Sequence, residues 1–190
     1  MFLIRRPSQL EIEQFIDRSR ELPLSYDPIG VARENPGGFN IDEATAVLGH
    51  GAETFARART ALMQWRHFEL GWVELYPRNA AVEPGTVVAV LVRHLGFWSL
   101  NGCRVVYSTG EQEVDATFGF AYGTLTNHAE MGEEIFEVSM TEADEVTYRI
   151  SAASKPRAVL ARIGYPYTRL CQARFRRDSI AAMKRAIENH

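Results

Sequence analysis

The stretch Gly119–Glu134 carries the densest set of groups able to do chemistry. Tyr122, Thr124, His128, Glu130, Glu133 and Glu134 fall at the end of a strand candidate and in the loop after it. A histidine hydrogen-bonded to a carboxylate serves as a general base with its orienting partner. His128 with Glu133 or Glu134, and Tyr122 beside them, are therefore the candidate acid and base. The competing reading is a hairpin turn in which His128 braces the loop and the glutamates sit in water. A metal site built from His128 with Glu130 or Glu133 lacks the spacing of metal motifs, such as two histidines at i and i+4. No metal and no other cofactor is expected.

A second group holds Trp98, Asn101, Gly102 and Arg104. Asn101-Gly102 reads as a tight turn. Arg104 lies on an otherwise apolar run, Cys103–Tyr107, where a lone charge is costly to bury. It is expected to pair with Glu133 or Glu134, or with the anion of a ligand. Phe118, Phe120 and Tyr122 alternate with Gly119, Ala121 and Gly123. One strand face is then an aromatic row, and the other admits very close packing. Gly49-His50-Gly51 precedes a helix but is not a dinucleotide fingerprint, since no strand leads into it and the third glycine is absent. Ser8, Ser99 and Ser179 lack a nucleophile-elbow context. Cys103 and Cys171 sit in apolar surroundings and read as buried, reduced thiols. His67 and His94 lie among apolar residues and read as packed or exposed without a role.

These groups need elements to hold them. Ser8 and Glu11 form a capping-box pattern that starts a helix running to about Glu21. Residues 24–40 hold two prolines and three glycines and read as an irregular loop, long enough to serve a function such as protein interaction. Residues 41–50 read as a short turn of helix, and a stronger helix spans about Glu53–Phe68. Strand candidates come next, at Trp72–Tyr76, Thr86–His94, Leu100–Tyr107, Thr117–Leu125, Glu133–Met140 and Glu145–Ala153. They are rich in β-branched and aromatic residues and separated by turn signals, which implies an antiparallel meander. Pro156 fits a first helical turn, and Pro166 breaks or kinks the segment after it. From Tyr167 to Ile187 an apolar stripe marks a helix about 32 Å long, enough to cross a sheet.

The chain has 190 residues, 46% apolar and 24% charged, with a formal net charge of -3. That is the size of one domain and the composition of a soluble globular protein, and it excludes disorder. A nucleic-acid binder usually shows a basic excess, so nucleic acid is not an expected partner. No apolar run reaches the roughly 18–20 residues of a membrane span. The N-terminus has only Phe2, Leu3 and Ile4 before Arg5 and Arg6, too short for a signal peptide, and a cytoplasmic location is expected. Charge is uneven. Val105–Tyr148 contains ten acids and no lysine or arginine, whereas Ser151–His190 has nine basic residues and two acids. Either the two segments pair at their rims, or Arg169, Arg174, Arg176 and Arg177 face a phosphate or carboxylate.

The run Phe97-Trp98 through Asn101-Gly102-Cys103-Arg104-Val105-Val106-Tyr107, then Gly119–Leu125 with His128 and Gly132-Glu133-Glu134, resembles the family catalogued as domain of unknown function 1990, or uncharacterised protein family 0548. Tyr26 with Gly30, Gly49 with Gly51 and Phe55, and the later Ser154-Lys155-Pro156, Pro166, Arg169, Gln172, Arg174-Phe175 and Ser179 with Met183 fit the same pattern. The likeness runs from about residue 22 to 187, with Lys155 where arginine is expected. It carries over no catalytic residue. The order of strands and helices also resembles the START-like, polyketide-cyclase-like superfamily.

A curved antiparallel sheet of six or seven strands packed on a long C-terminal helix, the α+β helix-grip layout, is thus expected. A curved sheet and a straight helix leave a gap, and an apolar gap with a few polar groups is a ligand pocket. Trp98, Asn101, Phe118, Phe120 and Tyr122 are expected to line it, with Arg104 and one of Arg169 or Arg174 holding an anionic end. The alternative is an enzyme, a cyclase, dehydratase or hydrolase, using His128 and a glutamate.

Overall fold

The computed structural model describes residues 1–110, 116–156 and 164–188. Strand β1 (Phe2–Leu3) leads into helix α1 (Gln9–Ser19), the four-residue helix α2 (Val31–Glu34), strand β2 (Asn40–His50) and helix α3 (Gly51–Met63). A 3-10 turn at Arg66–Phe68 precedes strands β3 (Val73–Tyr76), β4 (Val87–Arg93), β5 (Trp98–Thr109), β6 (Thr117–Thr124), β7 (Glu130–Met140) and β8 (Glu145–Pro156). Helix α4 (Tyr165–Glu188) closes the described chain.

All strands join one antiparallel sheet in the order β2-β8-β7-β6-β5-β4-β3, with β1 added at the start of β5. Strands β3 to β8 pair with their sequence neighbours, the expected meander, and β2 returns to cover the far edge. The register shifts between Val47 and Gly49 on β2 and between Val105 and Tyr107 on β5. An extra residue on one strand bends it and increases its twist. The sheet curls accordingly into a half-barrel around α4.

Strand alternation then sorts the side chains. On the concave face Phe120, Phe136, Tyr148 and Ile150 pack against Leu62, Trp65 and Met183. On the convex face Ile12 and Ile16 of α1 cover Val87, Ala89, Leu91 and Leu100. The segment around α2 covers the rest, with Tyr26, Val31 and Ala32 on Ala121, Ile135 and Ala153. The small residues of β6 do permit close packing there. A Cβ on Gly123 would stand 2.2 Å from the Tyr26 hydroxyl oxygen.

The sequence signals succeed where they are chemical and local. Ser8 and Glu11 make the reciprocal capping box of α1. Gly51 begins α3 directly after His50, although β2 runs to His50, so a strand does lead into this turn, against the expectation. Four local readings are corrected. Residues 41–50 are strand, because ten residues from Asn40 to His50 pair along β8, and that pairing outweighs the helical leaning of Asp-Glu-Ala. The helix expected to reach Phe68 stops at Met63, since Trp65 adopts φ 58° and buries its ring, donating its indole N–H to the Ala80 carbonyl at 2.9 Å. Asn101-Gly102 is no turn. It lies inside β5, opposite Val90 and Ala89. Pro156 ends β8, and Pro166 sits in the first turn of α4, where its missing N–H has no helical partner to lose. No helix among the described residues is long and apolar enough to cross a membrane.

Candidate functional site

The space between sheet and α4 is filled at one end only. Phe136, Tyr148 and Met183 close it toward the C-terminus of the helix. Toward the start of the helix the facing positions are short: Gly132, Ala152 and Ser154 from the sheet, Thr168, Cys171 and Gln172 from α4. A cavity of about 670 Å³ results, walled chiefly by apolar and aromatic groups such as Phe68, Trp72, Val90, Val92 and Phe175.

Its polar groups converge from three directions. Residues 130, 132, 134 and 136 of β7 share the concave face. Glu134 accepts the Tyr122 hydroxyl at 2.7 Å. Glu130 accepts from the Gln172 amide at 2.7 Å, and that amide also reaches Ser154 Oγ at 3.0 Å. Burial raises the pKa of both carboxyls to about 7. For Glu130 the nearby Glu134 pushes the same way while Arg169 opposes; for Glu134 the Tyr122 bond and Arg176 oppose. Asp42 of β2 binds both guanidinium groups, Arg169 through a forked contact and Arg176 at 3.1 Å. At the β4–β5 end, the ring nitrogens of His94 meet Ser99 Oγ at 2.9 Å and the Tyr167 hydroxyl at 3.2 Å. Burial lowers the pKa of His94. Among the described residues no group of three or more His, Cys, Asp or Glu is placed to hold a metal ion.

Several expected site residues do meet here. Tyr122, Asn101, His128 and Glu134 all line the cavity. The Nδ1 of His128 accepts the Glu130 backbone N–H at 2.9 Å, so that atom braces the β6–β7 turn. Glu133 is corrected: its carboxylate lies on the convex face, where the Tyr26 and Tyr107 hydroxyls and the Gly30 and Ala32 amides donate to it at 2.6–3.4 Å. It cannot partner His128 across the sheet.

Arg104 is corrected too. It shares the convex face with Trp98 and donates to the carbonyls of Arg20 and Leu22 at 2.8 and 3.0 Å, tying down the end of α1. Backbone carbonyls, rather than Glu133, Glu134 or a ligand, take its charge. Trp98 packs with the α1 cluster. Phe120 points inward but is fully buried against Trp65, ring centroids 4.7 Å apart, in the filled half. Phe118 lies in that half beneath Arg59. Arg174 lies over the Trp72 ring and bonds Asp178, with half its side chain exposed. Arg169 meets the site through Asp42 and through the Gln172 side-chain oxygen, to which it donates at 2.7 Å. Cys103 and Cys171 are free thiols, the first buried and the second half-buried on the cavity wall.

The structure adds Asp42, Gln172, His94 and Tyr167 to the site and places there Glu130 and Arg176, which the sequence had marked only within wider groups. Two signals point to some of them. Counting back by twos from Glu134 reaches Glu130 on the same face. The positions 168, 171, 172, 175 and 176 have the spacing of one helix face.

A curled antiparallel sheet closed by a long C-terminal helix defines the START-like, polyketide-cyclase-like class of α+β folds. Solved structures agree. The Zhui aromatase/cyclase from Streptomyces sp. R1128 superposes with TM-score 0.53, covering 79% of this chain and 94% of that one at 11% identity. A START superfamily protein from Mycobacterium smegmatis gives TM-score 0.50 over 78% and 97%, at 10% identity. At such identity the likeness is one of fold. Sequence carries the assignment further. The family model "Domain of unknown function (DUF1990)" matches residues 25–182. The UPF0548 protein of Dictyostelium discoideum is 33% identical over 207 residues, covering 98% of this chain and 96% of that protein. The chain belongs to this UPF0548/DUF1990 family.

Proposed function

We propose that the protein binds a small, largely apolar molecule in the cavity between the concave face of the sheet and the start of α4. The observation that carries this reading is a cleft of about 670 Å³ that opens to solvent, walled mainly by apolar groups, with a few polar groups at one end. The polar end of the ligand is not held as first expected, since Arg104 and Arg174 lie elsewhere. It meets Glu130, Glu134 and Tyr122 instead.

Nile red, a neutral apolar dye, tests the reading. It should bind the purified protein at about one molecule per chain. Ala152→Trp, which places an indole in the cavity, should abolish uptake while circular dichroism stays unchanged. Thr168→Trp fills the same space from the helix side and covers the case in which the first variant fails to fold. Equal uptake by the wild type and a folded, filled variant would overturn the proposal.

A second reading is favoured by one observation. Glu134, poised near pH 7 and touching the Tyr122 phenol, has the properties of a general acid or base. Under this reading the family is enzymatic, and of the four candidates His128, Glu133, Glu134 and Tyr122 the acid and base are Glu134 and Tyr122. Glu134→Gln would then retain the ligand but stop its conversion, seen as accumulation of unreacted ligand by mass spectrometry.

A further inference from the structure

The charges around the polar end of the cavity constrain what the site takes. Five ionisable side chains stand together: Asp42 from β2, Glu130 and Glu134 from β7, and Arg169 and Arg176 from α4. Tyr122 from β6, Cys171 and Tyr167 from α4, His94 after β4 and His128 in the β6–β7 turn complete the titratable groups that face the cavity. Counted over these five side chains, the two guanidiniums and Asp42 sum to one positive charge. One negative charge on the Glu130–Glu134 pair cancels it. The cluster is therefore neutral when the pair keeps one proton, and burial favours that state.

The hydrogen bonds give the pair a direction. Glu134 uses Oε2 for Tyr122, and Glu130 uses Oε1 for Gln172. Among the described residues Glu134 Oε1 and Glu130 Oε2 have no hydrogen-bond partner, and both side chains line the empty volume. These two oxygens are thus accessible from the cavity and open as acceptors, while the guanidiniums opposite them are engaged with Asp42. Aromatic rings at Phe68, Trp72 and Phe175 complete surroundings suited to a cation on an apolar body.

We infer that the ligand is an apolar amine, whose protonated nitrogen sits against Glu130 and Glu134 on the wall of the cavity in exchange for one proton held there. This rests on the binding role proposed above and names its ligand class. The exchange keeps the cluster neutral: one cation enters and one proton leaves to solvent. It also fixes the pH dependence. Because the pair titrates near pH 7, amine affinity rises with pH below that point, by at most about tenfold per unit for one proton displaced, and levels off above it. An uncharged ligand displaces no proton, and an anionic one would bind better in acid.

Displacement of Nile red by decylamine, decanol and decanoate between pH 6 and 8 separates these cases, since the three share one chain and differ in the head group. Decylamine should compete about tenfold better than decanol at pH 8, with the margin shrinking toward parity near pH 6. Glu134→Gln, alone and with Glu130→Gln, should remove that margin at pH 8, so that decylamine and decanol displace the dye equally. If Nile red enters the cavity but the three compete equally, or decanoate competes best, the amine assignment fails and the binding role stands. A margin that survives both substitutions also defeats the assignment. If Nile red is not taken up, or Ala152→Trp takes it up equally, the binding role itself fails.

Discussion

Glu133 and Glu134 are adjacent and have opposite surroundings. Glu133 points out of the convex face into four donors; Glu134 points into the cavity with one. A β-strand reverses its side chains at every step, so no pair of neighbours can serve one site. The same rule explains Arg104. Trp98, Leu100, Gly102 and Arg104 fall on one face of β5, and Asn101, Cys103 and Val105 on the other. The sequence shows that this cluster is chemically dense, but dividing it requires knowing where the strand starts and which face is inner. The buried proton of the site also leaves a stability signature. Glu134 holds its proton more tightly folded, near pH 7, than at the ordinary carboxyl value of 4.5. Its contribution therefore favours the fold in acid and is lost as pH rises through about 7. Glu134→Gln should stabilise the protein at pH 8 by roughly 1–3 kcal/mol and change little at pH 4.5, read by urea unfolding at both values.

His67 shows the reverse sign. Its ring is fully buried among Trp65, Phe68 and Phe136, neither nitrogen has a hydrogen-bond partner among the described residues, and burial lowers its pKa to about 3. The unfolded chain takes up a proton near pH 6.5 that the folded chain refuses, so this residue weakens the fold progressively as pH drops from 6.5 toward 3. His67→Leu removes two unsatisfied polar atoms. It should gain about 1–3 kcal/mol at pH 7 and more at pH 5.5, measured by thermal unfolding. A loss at both pH values would contradict this account of the site.

Among the elements, the meander from β3 to β8 was readable because runs of β-branched and aromatic residues stand between clear turn signals. Strand β2 was not, since Asp42-Glu43-Ala44 has no such bias and becomes strand only by pairing with β8, over a hundred residues away. The loop at 24–40 was visible as irregular, but not what it does. It lies on the convex face, and the Glu133 carboxylate holds it through Tyr26, Gly30 and Ala32. Removing a buried charge that satisfies several donors is expensive, so Glu133→Ala should cost about 3–5 kcal/mol in urea unfolding. Amide hydrogen exchange at Gly30 and Ala32 should accelerate with it. Unchanged exchange would mean that apolar packing of Val31 alone anchors the segment. Helix α4 was legible as one amphipathic rod. That its first turns carry short or polar inward residues, and its last ones apolar filler, emerges only once the opposing strands are known.

For the molecule as a whole, the uneven charge has a structural outcome. Basic α4 meets acidic groups of β2 and β7, partly at the rim and partly inside, where Asp42, Arg169 and Arg176 stand next to two protonatable glutamates. Fold and composition alone do not select a ligand, because this architecture supports many activities. The selection comes from the residues lining the unfilled half of the sheet–helix gap. The most direct test is to denature the purified wild-type protein and its Ala152→Trp variant and compare the small molecules each releases by mass spectrometry. We expect an apolar amine, near one equivalent per chain, from the wild type and not from the variant. Release of nothing beyond the amount the filled variant gives up would contradict the account.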